Sequence, residues 1–444
     1  MVSQIRCAFH ALFGQCAEQA NQVHRVIKRV REFDPRSFAQ TFILALLQNP
    51  DASDADIARM AASCDVPVSV QAISKRFTEE AAHFFQTMFG LSTRLVVHAD
   101  QSLAPILDRF TAVSVIDGSS ISLPDSQEKV YKGRGGSHAS GKSALKLQTE
   151  IDLKTGALEC VDIEQGCEAD VACARQSVLR QEGTLRITDL GYFSIAVFIA
   201  IANMNAFFLS RIQRTTMVHF AGKTIGNVVN FLCHRNENVI DCWIEIGSQD
   251  RLRCRLIAWR VPGPQAAERR RKLRLSQKKR GRGEPSQEAL NACDWMFLVT
   301  NVPEEKLSFK EAIVLYRARW QIELLFKRWK SIGLIATLTG KNDAAIMVRL
   351  WARLCASVIQ HWLTVLCSWR PDLLISFARV AKSIRIIVSQ IAMALSKDGS
   401  VALLERILQR FYETAAVTAR ADKRTKRGTV ELLRNPEKLD YILS

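Results

Sequence analysis

The fold is decided by two similar stretches of sequence, VSVIDG at residues 113–118 and LRITDLG at residues 185–191. In each stretch an aspartate follows two apolar residues at alternate positions. Because successive side chains of a strand point to opposite faces, Asp117 and Asp189 are each predicted to end a strand on an otherwise apolar face. A carboxylate in such a place needs a partner, which makes both aspartates candidate functional residues.

The residues around these stretches predict a mixed α/β sheet. Strands are predicted at residues 112–116, 144–153, 158–163, 185–189 and 206–212, and helices near residues 170–180 and from residue 193. Short runs with period-two alternation are typical of strands. Three strands, a helix, a strand, a helix and a strand in this order indicate a sheet with helices packed on it.

The remaining sequence divides into segments of different texture. Residues 213–291 form a strand-rich block that resembles an insertion, and a strand at residues 295–300 then resumes the α/β pattern. The expected domains are a helical N-terminal domain at 1–95, the first part of an α/β domain at 96–212, a β-rich insertion with a basic arm at 213–291, the second part of the α/β domain at 292–340, and a helical C-terminal domain at 341–444.

Within the N-terminal domain, one segment has the outline of a helix-turn-helix. A helical pattern around Ile57 leads to a break at residues 65–67, after which Ser69 can cap a second helix. That second helix carries the polar residues Gln71, Ser74, Lys75 and Arg76. The segment is either a DNA-binding helix-turn-helix or an ordinary helical hairpin with a solvated basic face.

Composition favours a nucleic-acid partner. The chain has 61 Lys and Arg residues against 44 Asp and Glu residues, a formal net charge of +17, and such an excess usually reflects a polyanionic partner. Its 12 cysteines include no C-x-x-C pair and no zinc-ligand spacing, so neither a disulfide framework nor a zinc site is expected. No signal-peptide pattern is present at the N-terminus, and we expect a cytoplasmic, nucleoid-associated protein without membrane contact.

A basic segment lies within the expected insertion. Nine Lys and Arg residues fall between positions 269 and 282. This segment is either a solvated or disordered arm or a surface that contacts phosphates.

A long helix predicted over residues 308–331 carries a polar stripe. On a helix that advances about 100° per residue, four of its side chains fall within about 60° of one another. They are Tyr316, Arg319, Glu323 and Lys330. The alternative is a surface helix with ordinary charge pairs. If the helix packs beside neighbouring strands, Glu323 converges with the two aspartates.

Three converging carboxylates indicate a metal site. They would repel one another unless cations lay among them, and hard divalent ions prefer carboxylate oxygens. Two such ions suit phosphodiester chemistry, because one activates a water or a 3′-hydroxyl and the other stabilises the leaving oxygen. Arg319 and Lys330 would then bind backbone phosphate. The site predicts DNA as the substrate.

One further motif is misleading. Residues 136–143, GSHASGKS, satisfy the G-x-x-x-x-G-K-[ST] phosphate-loop pattern. That pattern binds nucleotides only between a buried strand and a helix. Here a polar glycine-rich loop precedes it and a predicted strand follows. We therefore interpret it as a loop between two strands and expect no nucleotide cofactor.

The motifs DGS at 117–119 and DLGY at 189–192, with the spacing Y-x2-R-x3-E-x6-K from Tyr316 to Lys330, resemble the DDE transposases of the insertion sequence 4 family. The resemblance covers roughly residues 110–335. It implies an RNase H-like domain that a β-rich insertion interrupts before the catalytic glutamate.

The resemblance also implies roles for particular residues. Asp117, Asp189 and Glu323 would be the catalytic metal ligands, holding Mg²⁺ or Mn²⁺, with two ions expected. Tyr316, Arg319 and Lys330 would position DNA phosphates, and Ser119 would support the first aspartate. Trp295 would stack on a flipped base in a hairpin intermediate, unless it is a strand-end core aromatic. Arg211 is a further candidate for DNA contact.

These roles together describe cut-and-paste transposition: binding of terminal repeats, nicking to a 3′-hydroxyl and transfer of that end to target DNA. Two ends must be brought together, so a homodimer on double-stranded DNA is expected, with contacts through the apolar C-terminal region. The alternatives are another RNase H-fold nuclease such as a junction resolvase, a DNA-binding remnant that no longer cuts, or a nucleotide-hydrolysing motor.

Overall fold

The computed structural model describes residues 1–135, 142–178, 181–336, 338, 340–370, 373–421 and 428–439. The core of the misleading phosphate-loop motif lies outside these residues. The basic residues that the sequence places near the C-terminus, Lys423, Arg424, Lys426 and Arg427, also lie outside them. The described chain is a mixed α/β protein with helical N-terminal and C-terminal regions, as the sequence predicts. Its strands form one mixed sheet.

The sheet contains ten strands. They are β1 (Val113–Ser122), β2 (Ala144–Asp152), β3 (Leu158–Gln165), β4 (Leu185–Thr188), β5 (Phe207–Arg211), β6 (Met217–Phe220), β7 (Lys223–Asn227), β8 (Val239–Ile246), β9 (Leu252–Arg260) and β10 (Trp295–Thr300). Their spatial order is β3-β2-β1-β4-β5-β10-β9-β8-β6-β7. Strands β1, β4 and β5 are parallel, and β10 is antiparallel to β5. The first five positions follow the RNase H-like order, and the strands of the expected insertion extend the same sheet beyond β10.

The described residues contain sixteen α-helices. They are α1 (Val2–Ala11), α2 (Ala17–His24), α3 (Pro35–Gln48), α4 (Asp54–Ser63), α5 (Val70–Ser74), α6 (Glu79–Ser92), α7 (Ile195–Asn203), α8 (Val228–Cys233), α9 (Gly263–Lys279), α10 (Gln287–Asn291), α11 (Phe309–Ala318), α12 (Trp320–Ser331), α13 (Asp343–Ser368), α14 (Phe377–Leu395), α15 (Val401–Thr418) and α16 (Thr429–Arg434).

The chain forms two compact units, each built from separate stretches of sequence. The helix-rich unit comprises Met1–Leu103, Gly118–Glu168 and Gln321–Thr425. The sheet unit comprises Ala104–Asp117, Ala169–Trp320 and Lys426–Ser444. The N-terminal and C-terminal helical segments therefore belong to the same unit, which also contains β2 and β3.

The sheet unit has an aromatic core beneath its strands. Phe198 of α7 stacks on Phe208 of β5, with ring centroids 4.4 Å apart and planes inclined by 6°. The apolar stretch at 193–209 suggests a buried helix that runs into a buried strand. Strand β5 is buried, but α7 buries only Phe198 and Ile201 and is otherwise partly exposed. The same core cluster includes Trp295 and Phe297 of β10.

The helix-rich unit is organised around α13. This helix packs against α3 and α6, and Trp351 and Trp362 are each 1% exposed. Among the described helices, α13 alone is long and apolar enough to cross a membrane by length and composition. Its most apolar window is 94% buried inside the protein, as in the core helix of a globular domain.

The β2–β3 hairpin docks on the end of α13 within the same unit. His361 Nε2 lies 2.9 Å from the Gly156 carbonyl oxygen, and Trp369 Nε1 donates to the Leu153 carbonyl at 3.1 Å. Gly156 has φ +76°, and a Cβ there would lie 2.6 Å from Cδ2 of Trp369. The hairpin turn therefore requires glycine both for its backbone and for the close approach of the indole.

The structure corrects three details of the sequence prediction. The first strand does not end at Asp117 but continues to Ser122, because Ile121 follows the same alternation and is 1% exposed. The predicted helix at 170–180 is replaced by short 3₁₀ turns, Asp170–Ala172 and Ala174–Ser177. Here Gln176 Nε2 donates to the carbonyls of Asp170 and Val171, which helical N–H groups would otherwise bond.

The third correction concerns the long helix predicted at 308–331, which is two helices. Helix α11 ends at Ala318 and α12 begins at Trp320. At the junction the Arg319 N–H bonds the Tyr316 carbonyl three residues back, at 3.2 Å, instead of the carbonyl four residues back.

In the N-terminal region, the helix after the predicted break is short. The Ser69 hydroxyl accepts from the Ala72 N–H at 3.2 Å, so the predicted cap is confirmed. Helix α5 nevertheless ends at Ser74, leaving Lys75 at its C-cap and Arg76 beyond it. Five residues make little more than one turn, which is short for a helix that reads a DNA groove.

Candidate active site

The two predicted aspartates lie side by side in the sheet unit. The parallel strands β1 and β4 pair Val113 with Leu185 and Val115 with Ile187. Asp117 lies two residues beyond Val115 on β1, and Asp189 lies two residues beyond Ile187, one residue past the end of β4, where the backbone is still extended. Continuing the register of the two strands therefore brings Asp117 level with Asp189 on the same face. Neighbouring strands are about 4.8 Å apart, so the carboxylates are close neighbours. Both are partly exposed and thus accessible to solutes.

Helix α11 and the residue after it supply a partner for each aspartate. The Tyr316 hydroxyl donates to Asp189 Oδ1 at 3.0 Å. Arg319 Nη1 donates to Asp117 Oδ2 at 3.4 Å, with side chains 11% and 19% exposed respectively. Four of the predicted site residues are therefore brought together within one unit.

Electrostatics keep the tyrosine protonated in this arrangement. Burial, followed by the charge of Asp189, raises the pKa of Tyr316 well above its ordinary value, although Arg319 and Arg211 act in the opposite direction. The Arg319 guanidinium also lies 5.8 Å from the centroid of the Tyr316 ring. Tyr316 is therefore a hydrogen-bond donor at neutral pH.

The beginning of α11 is fixed by a capping box and by Arg109. The Ser308 hydroxyl and the Glu311 carboxylate each accept the other residue's N–H, at 3.4 and 2.9 Å. Arg109 donates to both oxygens of Glu311, at 2.8 and 2.7 Å, and to the Lys306 carbonyl at 3.0 Å. Although burial opposes it, these bonds hold the pKa of Glu311 below its usual value.

A buried arginine of the insertion strands holds the residues before α11. Arg255 of β9 is 1% exposed and forms a two-bond ion pair with Asp241 of β8. Its Nη1 donates to the Leu307 carbonyl at 2.6 Å and lies 3.5 Å from the Val302 carbonyl. The insertion strands are thus connected to the helix that carries Tyr316.

Trp295 and Arg211 line one cavity of about 780 Å³ in the sheet unit. Trp295 is 3% exposed and belongs to the core cluster, so it is a strand-end core aromatic that also borders open space. The Arg260 guanidinium lies over its ring at 4.6 Å. Arg269 lines the same cavity and donates to the Trp295 carbonyl at 3.1 Å.

Three other predicted site residues, Glu323, Lys330 and Ser119, belong to the helix-rich unit. Glu323 and Lys330 are partly buried on α12, which belongs to the helix-rich unit except for Trp320. Burial lowers the pKa of Lys330. Ser119 is partly buried on the second half of β1. Trp320, which is 54% exposed beside Arg319, was not singled out from the sequence.

The donor chemistry of the aspartate pair fits divalent metal ions. Among the described residues, no group of three or more His, Cys, Asp or Glu side chains is arranged to hold a metal ion. The carboxylates of Asp117 and Asp189 nevertheless offer partly exposed oxygens from neighbouring strands, and hard divalent cations prefer such ligands. These two residues are the candidate ligands that the sheet unit provides.

Sequence reasoning also missed the residues that hold this region in place. Arg109 and Arg255 are isolated arginines in sequence, and only their burial and partners mark them. Gly191, in the DLGY motif, has a detectable signal because it is a glycine two residues after a predicted strand. A Cβ there would lie 2.8 Å from Asp170 Oδ2, so any larger residue would displace the Asp170 side chain.

The strand order and the paired aspartates define the class, a carboxylate-bearing RNase H-like fold. Comparison with known proteins then identifies the family. Residues 108–359, more than half of the chain, match the family model of the transposase DDE domain. The chain therefore belongs to the transposase DDE domain family, which implies dependence on divalent metal ions.

Several insertion-sequence transposases are similar to the chain. It is 25% identical over 362 residues to the transposase for insertion sequence element IS231F of Bacillus thuringiensis subsp. israelensis, covering 76% of this chain and 75% of that protein. It is 24% identical over 356 residues to the IS231B transposase of Bacillus thuringiensis subsp. berliner, covering 75% and 73%. It is 24% identical over 345 residues to the IS1151 transposase of Clostridium perfringens, covering 70% of each chain.

Proposed function

We propose that this chain is the transposase of an insertion sequence and catalyses cut-and-paste transposition. It would bind the terminal repeats of the element, nick the DNA to a 3′-hydroxyl and transfer that end to target DNA. The observation that carries the proposal is the pair Asp117, on β1, and Asp189, directly after the neighbouring parallel strand β4, contacted by Arg319 and Tyr316 respectively. The Y-x2-R-x3-E-x6-K spacing supports placing the chain in the insertion sequence 4 family.

Three carboxylates would hold the metal ions. Asp117, Asp189 and Glu323 are proposed as ligands of two divalent ions, Mg²⁺ or Mn²⁺. When bound, such ions activate a water or a 3′-hydroxyl and stabilise the leaving oxygen of the phosphodiester. All three side chains are partly exposed, so a substrate phosphate can approach them from solvent.

With metal ions on the aspartates, Tyr316 and Arg319 would be available to bind DNA. In the structure the Tyr316 hydroxyl and the Arg319 guanidinium each donate to an aspartate, and both can donate hydrogen bonds at neutral pH. We assign them to the phosphate beside the scissile bond, with Arg319 as the planar fork and Lys330 as a further positive charge. Ser119 would support the loop around Asp117.

The 780 Å³ cavity would accept an extrahelical base. Trp295 offers an aromatic surface, and Arg211 and Arg269 offer positive charge at the same cavity. Because Arg260 covers the indole in the structure, stacking would require this guanidinium to move. A flipped base held there would permit excision through a hairpin intermediate.

The partners follow from this reaction. Double-stranded DNA, as terminal repeats and as target, is the substrate, and no nucleotide cofactor takes part. A homodimer would bring two ends together, with residues 341–444 as the proposed contact region, and native mass spectrometry with and without end DNA tests it. A single-end, monomeric complex as the only DNA-bound species would contradict the dimer. We place the reaction in the cytoplasm, at the nucleoid.

The decisive experiment measures nicking and strand transfer on a fragment that carries the element's own end, with Mg²⁺ or Mn²⁺ and no ATP. Asp189→Asn and Glu323→Ala are compared with wild type, and Glu304→Gln, at an exposed glutamate, is the matched control. Wild type and the control should cut and join, whereas the two site variants should only bind. If all four proteins bind without cutting, the chain is a DNA-binding remnant. Cutting without joining would favour a nuclease such as a resolvase.

A further inference from the structure

The basic segment of the insertion is an ordered helix with two different sides. Helix α9 runs for 17 residues from Gly263 to Lys279 and contains most of the nine basic residues found between positions 269 and 282. It is therefore neither a disordered arm nor an irregular loop.

One side of α9 is anchored to the beginning of β10. Ala266 is 4% exposed, and Arg269 donates to the Trp295 carbonyl at 3.1 Å. Arg270 forms an ion pair with Asp294. Leu273 and Gln277 continue this side and line the 780 Å³ cavity. Their spacing of three and four residues places all five side chains on one helix face.

The C-terminal end of α9 is closed by a Schellman motif. Gly281 has φ +64°, its N–H bonds the Lys278 carbonyl at 3.1 Å, and the Arg282 N–H bonds the Gln277 carbonyl at 3.0 Å. These are the two bonds of that motif, in which a left-handed glycine ends the helix. The last basic residues therefore have defined backbone positions.

The other side of α9 is exposed and strongly positive. We define the α9 cationic face as the exposed residues Arg271, Lys272, Arg274, Lys278 and Lys279 of the helix, together with Arg280 and Arg282 of the turn that ends it. Glu268 pairs with Arg271 and Lys272, and Glu284 lies 3.4 Å from Arg274. Among the carboxylates of the described chain, none lies within ion-pair distance of the remaining four.

We propose that the α9 cationic face binds the phosphate backbone of duplex DNA without reading its sequence. Residues seven apart on a helix, such as Arg271 and Lys278, are separated by about 10 Å along its axis, which matches a few phosphates of one strand. Uncompensated charge on an ordered helix suits a polyanion, whereas the single large apolar side chain exposed on α9, Leu275, offers little of the buried aromatic or apolar anchoring that a protein partner uses. The proposal rests on the proposed function only in taking DNA as the substrate.

The anchoring of α9 would fix the position of a bound duplex relative to the cavity. Because Arg269 and Arg270 fix α9 to Asp294 and Trp295, a duplex bound on the outer face is held at a constant distance from the cavity on the inner face. The same helix thus positions DNA beside the pocket that Trp295 and Arg211 line. Displacing the duplex from α9 should weaken binding of any sequence to the same extent.

The test measures the affinity of the full-length protein for a labelled duplex of unrelated sequence, without divalent metal, as KCl is raised from about 50 to 200 mM. The triple variant Lys278→Gln, Lys279→Gln, Arg280→Gln removes three uncompensated charges. The slope of log affinity against log salt should become shallower by about 2.7, at about 0.9 for each lost phosphate contact, and the affinity should fall by about tenfold or more. Reversing the two lysines to glutamate should weaken binding further.

The matched control removes three exposed charges from the helix-rich unit, with Lys397→Gln, Arg406→Gln and Arg410→Gln. An unchanged salt slope in the control together with a shallower one in the α9 variant supports the proposal, provided that both variants keep the wild-type Tm. Equal losses in both variants would assign the effect to net charge and overturn it. Loss of binding to phosphatidylserine vesicles with DNA binding intact would also overturn it. Because no metal is present, failure of the nicking experiment leaves this result unaffected.

Discussion

Two docking points in the molecule use different chemistry to hold a helix in place. In the sheet unit, charged groups fix the start of α11: Arg255 bonds Asp241 and the Leu307 carbonyl, and Arg109 bonds Glu311. In the helix-rich unit, neutral groups fix the end of α13 on the β2–β3 hairpin. There His361 contacts the Gly156 carbonyl oxygen, and the indole N–H of Trp369 donates to the Leu153 carbonyl.

This difference in chemistry predicts which change destabilises each docking point. A buried ion pair is weak net support while it is complete, but removing one partner leaves a charge that nothing compensates. A buried neutral histidine lowers the stability of the fold as the pH falls, because the unfolded chain accepts a proton more readily than the folded one. The α11 point should therefore be sensitive to single substitutions, and the α13 point to acid.

The largest effect is expected from breaking the buried pair at α11. Arg255→Met should lower the free energy of unfolding by about 3–5 kcal/mol, because Asp241 loses its partner and two carbonyls lose their donor. Urea unfolding of the full chain measures this. The double variant Arg255→Met, Asp241→Leu should recover part of the loss, since it removes the stranded carboxylate as well. A cost below about 1 kcal/mol for the single variant would contradict the comparison.

Acid should weaken the α13 point through His361. Burial lowers the pKa of His361 to about 4, from 6.5 in the unfolded chain, and the nearby Arg328 acts in the same direction. Because the folded pKa is depressed, this contribution to stability is complete above pH 6.5 and is lost as the pH falls from 6.5 to about 4. The loss should reach about 3 kcal/mol.

The variant His361→Gln, which cannot be protonated at this position, isolates the contribution of His361 to the acid sensitivity. Unfolding free energies of wild type and His361→Gln are compared at several pH values between 6.5 and 4. The variant is less stable at neutral pH but should show a smaller decline, because glutamine does not accept the proton. Parallel curves for the two proteins would show that another group carries the acid sensitivity.

The close packing of Trp369 on Gly156 of the β2–β3 hairpin can be tested against a second glycine, Gly222, that has the same backbone conformation. Gly156 and Gly222 have the same φ of +76°, but a Cβ meets the Trp369 ring only at Gly156 and has no neighbour within 4 Å at Gly222. Gly222→Ala should cost about 1 kcal/mol for the backbone conformation alone. Gly156→Ala should cost about 2–3 kcal/mol because the indole must also move. Equal costs in thermal unfolding would mean that the indole adjusts freely.

The sequence was sufficient for features that depend on local pattern. Strand β10 occupies the predicted residues 295–300, and Asp117 and Asp189 lie on or directly after the two predicted strands, because alternation is visible in VSVIDG and LRITDLG. It was insufficient where burial or a side-chain hydrogen bond decides. Asp117 is predicted to end its strand, but burial of Ile121 continues β1 past it. Gln176 bonds the carbonyls of Asp170 and Val171 in place of helical N–H groups, a side-chain choice that a helical pattern does not reveal.

The candidate site shows the same division. The spacing of Tyr316 and Arg319 pointed to a common role, and the structure brings each of them to one predicted aspartate. Arg255 has no sequence signal, because an arginine in an alternating strand is normally exposed and this one is buried by its partners from two other segments. Side chains that act directly are easier to predict than those that hold them in place.

The smallest effect is expected at the outer contact of the α11 point. Arg109 and Glu311 are 41% and 14% exposed, so solvent screens their attraction. A double-mutant cycle with Arg109→Ala and Glu311→Gln should give a coupling energy of about 0.5–1 kcal/mol, far below the cost at Arg255. The coupling should shrink when salt is raised, because exposed charges are screened. A coupling energy as large as the loss from Arg255→Met would contradict the prediction. It would show that solvent exposure does not explain the different strengths of the Arg109 and Arg255 contacts.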